Sequence, residues 1–315
     1  MKRKFIFAVF LFCLAFNLFG KDIQVLTPAG LPTLSMVKLI NEDHKIDGVN
    51  INYKIEKNAD GLVVDMLKKE GDIAIVPSNF AAQLYNKGLG YEILGTVGWG
   101  SFYVISHEDI SSVKDLKNSE LYVFGKGLTP DIILQNILIK NGLTPDKDVK
   151  INYVSSGNEL AGFYLGKKAK IAVIPEPMLS KIMSKDKSTK INLNLNDEWK
   201  ALTGSKLGYP QSTLVAKKEL VENNPELIQK FVKDLEGSIE FLHSSSDKKA
   251  QYVNNLNIMI DTSILDEILG KANLKFIKAQ DCKDEYNNYF KILYDTNSKV
   301  IGGKLPNEEV FAIFN

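Results

Sequence analysis

The chain has 315 residues, of which 39 are basic and 38 acidic, for a formal charge of +1. With 44% hydrophobic and 24% charged residues it sits in the ordinary range for soluble globular proteins, and its length suggests about two domains. This balance excludes a disordered or multi-span membrane chain, and the lack of a basic excess argues against a nucleic-acid partner.

Met1-Lys2-Arg3-Lys4 is a basic start, residues 5–19 are apolar except for Asn17, and Gly20 precedes Lys21-Asp22. This pattern predicts a secretory signal peptide over residues 1–20. The stretch falls short of the roughly 20 apolar residues of a membrane span. An uncleaved anchor and lipid attachment at Cys13 are the alternatives, the second disfavoured because Phe12 stands where a small residue is normally needed. Export places the protein in the periplasm or otherwise outside the cytoplasmic membrane. Cleavage leaves 295 residues with a net charge of −2 and Cys282 as the remaining cysteine, so no internal disulfide can form. Arg3 is the only arginine and leaves with the leader, which takes bidentate guanidinium recognition of an anion with it.

Along the rest of the chain, short apolar runs predict strands at 23–26, 49–55, 73–76, 91–97, 102–105, 121–124, 149–154, 171–174 and 213–216. Helices are expected between them: one capped by Thr33, one at 61–69, one at 80–87 and one at 159–165. The middle is the clearest. Thr129-Pro130-Asp131 reads as an N-cap, a first-turn proline and a first-turn acid, and Asn141-Gly142 as the stop of the same helix. Residues 121–174 thus form a βαβαβ unit, which a right-handed crossover turns into parallel sheet. Beyond residue 217 the pattern becomes helical. Asn224-Pro225-Glu226 opens a long helix whose Leu/Ile/Phe stripe is core, and further helices are expected near 248–256, 262–271, 284–296 and 307–313. The whole is an α/β chain with a helical C-terminal third.

Catalytic signatures are missing. His44, His107 and His243 share no ligand spacing, and no H-E-x-x-H, C-x-x-C or G-x-S-x-G occurs. Residues 162–168 miss the length and the Ser/Thr of a phosphate loop, and residues 125–130 lack the third glycine of a dinucleotide fingerprint. No catalytic residue, metal or cofactor is expected.

A series of loose motifs remains: Gly71-Asp72-Ile73-Ala74-Ile75-Val76-Pro77, Asn79, Leu84-Tyr85-Asn86-Lys87-Gly88, Gly98-Trp99-Gly100, Asp115-Leu116-Lys117 and Gly127-x-Thr129-Pro130. They are followed by Gly142-Leu143-Thr144-Pro145, Asp148-Val149, Glu159-Leu160, Pro175-Glu176-Pro177 and Pro210-Gln211. In order and spacing this series resembles, over about residues 22–245, the periplasmic substrate-binding proteins of ABC importers, in the nitrate/sulfonate/taurine and NMT1/THI5-like family. The resemblance implies a two-lobe, type II periplasmic-binding-protein-like α/β fold, its lobes joined by two crossing hinge strands near 102–105 and 213–216. Carried onto this chain, lobe one would be residues 21–104 and 210–315, and lobe two residues 105–209. It further implies a small-molecule ligand held in the cleft, an ABC permease and its ATPase as partners, and a monomer.

In such sheets ligands sit beyond the carboxyl ends of strands, among loops and helix N-termini. The candidate ligand residues are therefore Gly30, Thr33, Ser78, Asn79, Trp99, Gly100, Gly127, Thr129, Ser156, Glu176 and Gln211. Each has a structural alternative: turns for the glycines, capping for Thr33, Ser78, Asn79 and Thr129, packing under the hinge for Trp99, and a cap or surface role for Glu176. A planar heterocycle such as a thiamine-pyrimidine precursor or another vitamin suits Trp99 and Glu176. A nitrate, sulfonate or taurine-type anion is the alternative and must rely on lysines and helix ends. An enzyme on the same fold is the competing class. Its pyrimidine-synthase branch uses a cysteine-rich segment that this chain lacks, and its cytosolic dehydratase branch does not fit an export signal. A sensor that presents its closed form to a membrane receptor is a third class, which the sequence does not separate from transport.

Overall fold

The computed structural model describes residues 22–314 apart from 43 and 58, so the expected leader lies outside the described residues. The N-terminal apolar runs form β1 (Ile23–Pro28), α1 (Leu31–Ser35), α2 (Val37–Glu42), β2 (Lys45–Ile46), β3 (Val49–Glu56), α3 (Ala59–Leu67), β4 (Ile73–Pro77), α4 (Ser78–Asn86) and β5 (Tyr91–Trp99). The middle of the chain forms β6 (Phe102–Ser106), β7 (Glu120–Phe124), α5 (Thr129–Lys140), β8 (Lys150–Val154), α6 (Gly157–Leu165), β9 (Ile171–Pro175), α7 (Met178–Lys185), β10 (Lys190–Asn194) and α8 (Leu195–Thr203). Then follow β11 (Pro210–Lys217), α9 (Lys218–Asn223), α10 (Pro225–His243), α11 (Lys248–Asn255), α12 (Leu265–Leu269), β12 (Leu274–Lys278) and α13 (Lys283–Asn297).

These strands make two mixed sheets. The first has the order β12-β5-β11-β4-β1-β3-β2, the second β10-β6-β9-β7-β8. Each contains a parallel run, in which β1 pairs with β3 and β4, and β7 with β8 and β9, as helical crossovers require, while β11 and β6 continue the two sheets antiparallel. The chain passes between the sheets twice, at Gly100-Ser101 and again between the end of α8 and the start of β11. The result is the two-lobed α/β fold expected from the motif series.

The core follows the apolar pattern. The stripe on α10, including Ile228, Phe231, Leu235 and Leu242, packs against Val25, Ile73, Leu94 and Leu214 of the first sheet. Burying each such side chain contributes about 1.5–3 kcal/mol. A second cluster runs from one sheet into the other through Trp99, Phe102, Trp199, Tyr209 and Tyr289. Its rings are interleaved: Phe102 stacks on Tyr209 at 6.5 Å, Trp199 meets Tyr209 edge-on at 5.6 Å, and α13 brings Tyr289 over Tyr209 at 6.3 Å. Next to it lies a buried file of hydroxyls. Thr96 donates to the Tyr286 hydroxyl (2.8 Å), which contacts Thr213 (2.8 Å), which in turn contacts Ser78 (2.6 Å).

Several local expectations are corrected. Thr33 does not cap its helix: Gly30 stands at the N-cap, with φ 113°, and Thr33 lies inside the first turn. Leu128, not Thr129, is the N-cap of α5, because its extended backbone already turns the chain and Thr129-Pro130 occupy the first two helical positions. Ser78 lies within α4 after Pro77 and caps nothing through its side chain. Strands β2, β10 and β12 and helices α7 and α8 were not anticipated, and residues 307–313 hold only a short 3-10 turn. Edge strand β12 falls between the helices expected near 262–271 and 284–296, where no strand is expected. Its alternation of Leu274 and Phe276 with lysines spans only five residues, too short to stand out from the helical pattern around it.

Candidate functional site

Three of the parallel strands, β1 and β3 of the first sheet and β9 of the second, end towards a shared cavity of about 590 Å3, within the usual size of a small-molecule site. The first sheet contributes Ala29 and Gly30 beyond β1 and Lys57 beyond β3. The second contributes Pro175, Pro177 and Met178 beyond β9, one face of α6 with Asn158, Ala161 and Leu165, and the α7 residues Lys181, Ile182 and Lys185. A third wall comes from the C-terminal part of the chain, with Ile258, Met259, Asp261, Ile264 and Ile268.

Chemically the lining is aliphatic with a charged fringe. Among the described residues it holds three lysines against one carboxylate and no aromatic ring, histidine or cysteine. Asp261 is held below the ordinary carboxylate range by hydrogen bonds from Ser263, with help from the charge of Lys181. It therefore stays ionised and leaves the fringe with an excess of positive charge.

Of the eleven sequence candidates, Gly30 lines the cavity directly. Its φ of 113° favours glycine, and open space stands where a Cβ would be. Ser156 stands just behind the α6 wall as the N-cap, accepting from the Glu159 amide at 3.2 Å. The others are engaged within the protein. Thr33 donates to Pro28 O at 2.8 Å, and Ser78 is fully buried against Thr213. Asn79 donates to Val300 O at 3.2 Å. Gly127 donates its amide to Asp131 at 2.7 Å, and the Thr129 hydroxyl meets Tyr289 at 3.3 Å. Trp99 is only 4% exposed and donates its indole N–H to Lys275 O at 3.1 Å. It edges a different depression, on Asn196, Lys206, His243 and Asn273.

Glu176 and Gln211 gather at the first crossing between the sheets. Gln211 Oε1 accepts from the Ser101 amide at 2.9 Å, and the Glu176 amide donates to Ser101 O at 3.2 Å. The Glu176 carboxyl is 4% exposed and accepts from the Ser180 hydroxyl at 2.7 Å and, more weakly, from its amide at 3.3 Å. Burial outweighs those bonds and pushes its pKa up to about 7. Gly100 lies in the same joint, where a Cβ would overlap the Tyr209 ring and the Asn196 amide.

Sequence reasoning missed the lysines and aliphatic residues of the lining. Lys181 and Ile182 lie on α7, a helix that was not anticipated, and Ile258 and Ile268 lie in a region read only as helical packing. No local signal separates an aliphatic residue that lines a cavity from one that fills a core.

The arrangement of two sheets crossed twice by the chain, with a cavity at their carboxyl edges, is that of periplasmic binding proteins. The NMT1/THI5-like family matches residues 49–248, well over half the chain, and the chain belongs to that family. No curated protein sequence matches it. Among solved structures it resembles an ABC transporter protein from Parabacteroides distasonis, with a TM-score of 0.80, 25% identity, and 92% of this chain and 98% of that one covered. The periplasmic aliphatic sulphonate binding protein SsuA from Escherichia coli aligns with a TM-score of 0.72 at 12% identity over 88% of each chain. An alkanesulfonate-binding SsuA from Xanthomonas axonopodis bound to MOPS aligns with a TM-score of 0.65 at 15% identity, covering 92% and 96%.

Proposed function

We propose that the protein is an extracytoplasmic solute-binding protein that holds a small molecule between two lobes and delivers it to an ABC permease and its ATPase. The observation that carries this is the cavity between the sheets, whose walls come from both of them. A solute touching both walls stabilises the closed arrangement over an open one, which is how such a protein would signal loading. The lobes in this proposal are residues 21–104 with 210–315, and residues 105–209, acting as a monomer outside the cytoplasmic membrane. Binding without catalysis is favoured by the solved neighbours, which are binding proteins of transporters.

The lining favours a solute with an aliphatic body and a negative group. Lysines supply the charge that arginine cannot, as point charges without a fixed fork. A heterocyclic vitamin precursor is the second reading, supported by the family match and weakened by the engagement of Trp99 and Glu176 within the protein. The test is native mass spectrometry of the chain purified without residues 1–20, followed by identification of the released compound. A bound anion with an aliphatic part is the expected result, and a bound heterocycle would replace the first reading by the second. A chain that carries no small molecule, and whose melting is unmoved by panels of both compound classes, would overturn the function.

A further inference from the structure

The third wall of the cavity has features that the two sheets do not share. Residues 257–273 run from α11 through a 3-10 turn at Thr262–Ile264 and α12 to the start of β12. They therefore belong by connectivity to the first sheet, yet both that turn and α12 pack against α7 of the second. The segment is pinned further at two points: the Tyr103 hydroxyl of β6 donates to Lys271 O at 2.8 Å, and the Asn273 side chain donates to Gly100 O at 2.6 Å. It also lies wholly beyond residues 49–248, the part that matches the family.

Its backbone is unusual where it meets the cavity. Asn257 and Met259 both have positive φ, 52° and 53°. An asparagine adopts that region with some ease, but a methionine seldom does. The consequence is that Met259 projects at the cavity mouth, 90% exposed, while Ile258 and Ile260 on either side are buried. A large apolar side chain held outward in a disfavoured conformation, on the rim of an aliphatic cavity, is a group without a packing partner of its own.

We propose that residues 257–268 form a solute-reading wall, in which Met259 and Ile264 cover the apolar part of the solute and so set specificity from outside the family-matched region. The proposal rests on the solute-binding function above. In it, the family-matched lobes supply the closing framework and the lysines of α7, while the third wall chooses among apolar bodies. Packing of the same wall on α7 couples that choice to the relative position of the two lobes.

The test uses 8-anilinonaphthalene-1-sulfonate, an apolar anion, titrated by fluorescence into the unaltered chain and two variants. Met259→Ala with Ile264→Ala trims the third wall at one exposed and one half-buried side chain; Ile264 also packs against the core of the first sheet, so a thermal melt establishes that the double variant is folded before it is titrated. Leu165→Ala trims the α6 wall for comparison. The expected result is binding about 10-fold weaker for the double variant, together with protection of the amides of 257–268 from hydrogen exchange when the dye binds. Unchanged binding by the double variant with weakened binding by Leu165→Ala, or protection confined to α6 and α7, would overturn the inference while leaving the cavity as the solute site. No binding by the unaltered chain would overturn both.

Discussion

Two regions join the sheets, and they are built in opposite ways. The joint around Gly100 is dense and internally satisfied: Tyr209, Phe102 and Tyr289 stack, Gln211 and Glu176 are tied to Ser101, and the indole of Trp99 is bonded to Lys275. The cavity a few residues away is aliphatic, open at its mouth and fringed by lysines. The glycines, aromatics and buried acid that stand out in the sequence mark the joint, because a close crossing of backbones needs glycine and a buried acid needs hydrogen bonds. The cavity needs only shape and apolar surface, which many residue types supply.

That contrast can be broken most sharply at Gly100. Gly100→Ala is expected to destabilise the chain by about 3 kcal/mol, because the added methyl must displace Tyr209 and Asn196. Urea unfolding measures it, and an unchanged midpoint would show that the joint is loosely packed. Next is Glu176. With its pKa raised to about 7 by burial, the folded state binds a proton that the unfolded state releases above its ordinary pKa of 4.5. Its contribution is present in full below that ordinary value and is lost as pH rises to about 7, a total on the order of 3 kcal/mol. Thermal unfolding between pH 4.5 and 7.5 should show this fall, and Glu176→Gln should flatten it. Equal slopes in both chains would mean that the carboxyl is solvated. The smallest effect is expected for Tyr103→Phe, which removes the bond to Lys271 O and costs about 1 kcal/mol. It should speed amide exchange in 271–273 ahead of the core strands, and uniform exchange would argue against a pinned segment.

Much of the fold was legible from apolar periodicity. All nine predicted strands exist, and the βαβαβ unit of β7, α5, β8, α6 and β9 pairs in parallel. What escaped were short or lysine-rich elements. In β10, Ile191 and Leu193 alternate with polar residues over only five positions, and α7 carries its apolar face on Leu179 and Ile182 amid serines and lysines. The site was less legible than the fold. Gly30 reached the cavity because a carboxyl-edge turn needs its conformation, a local property. Met178, Ile258 and Ile268 reach it through tertiary packing, which their own neighbours in the chain do not encode.

The hydroxyl file under the joint is continuous. Thr96 donates to Tyr286, and Thr213 and Ser78 follow at 2.8 and 2.6 Å. Four hydroxyls on β5, α13, β11 and α4 therefore serve as one another's partners. Replacing the threonine in the middle by an isosteric valine would take a hydrogen-bond partner from the tyrosine and from the serine at the same moment. The file behaves as a single polar stitch through the first lobe, and cutting it anywhere unpicks both sides of the cut.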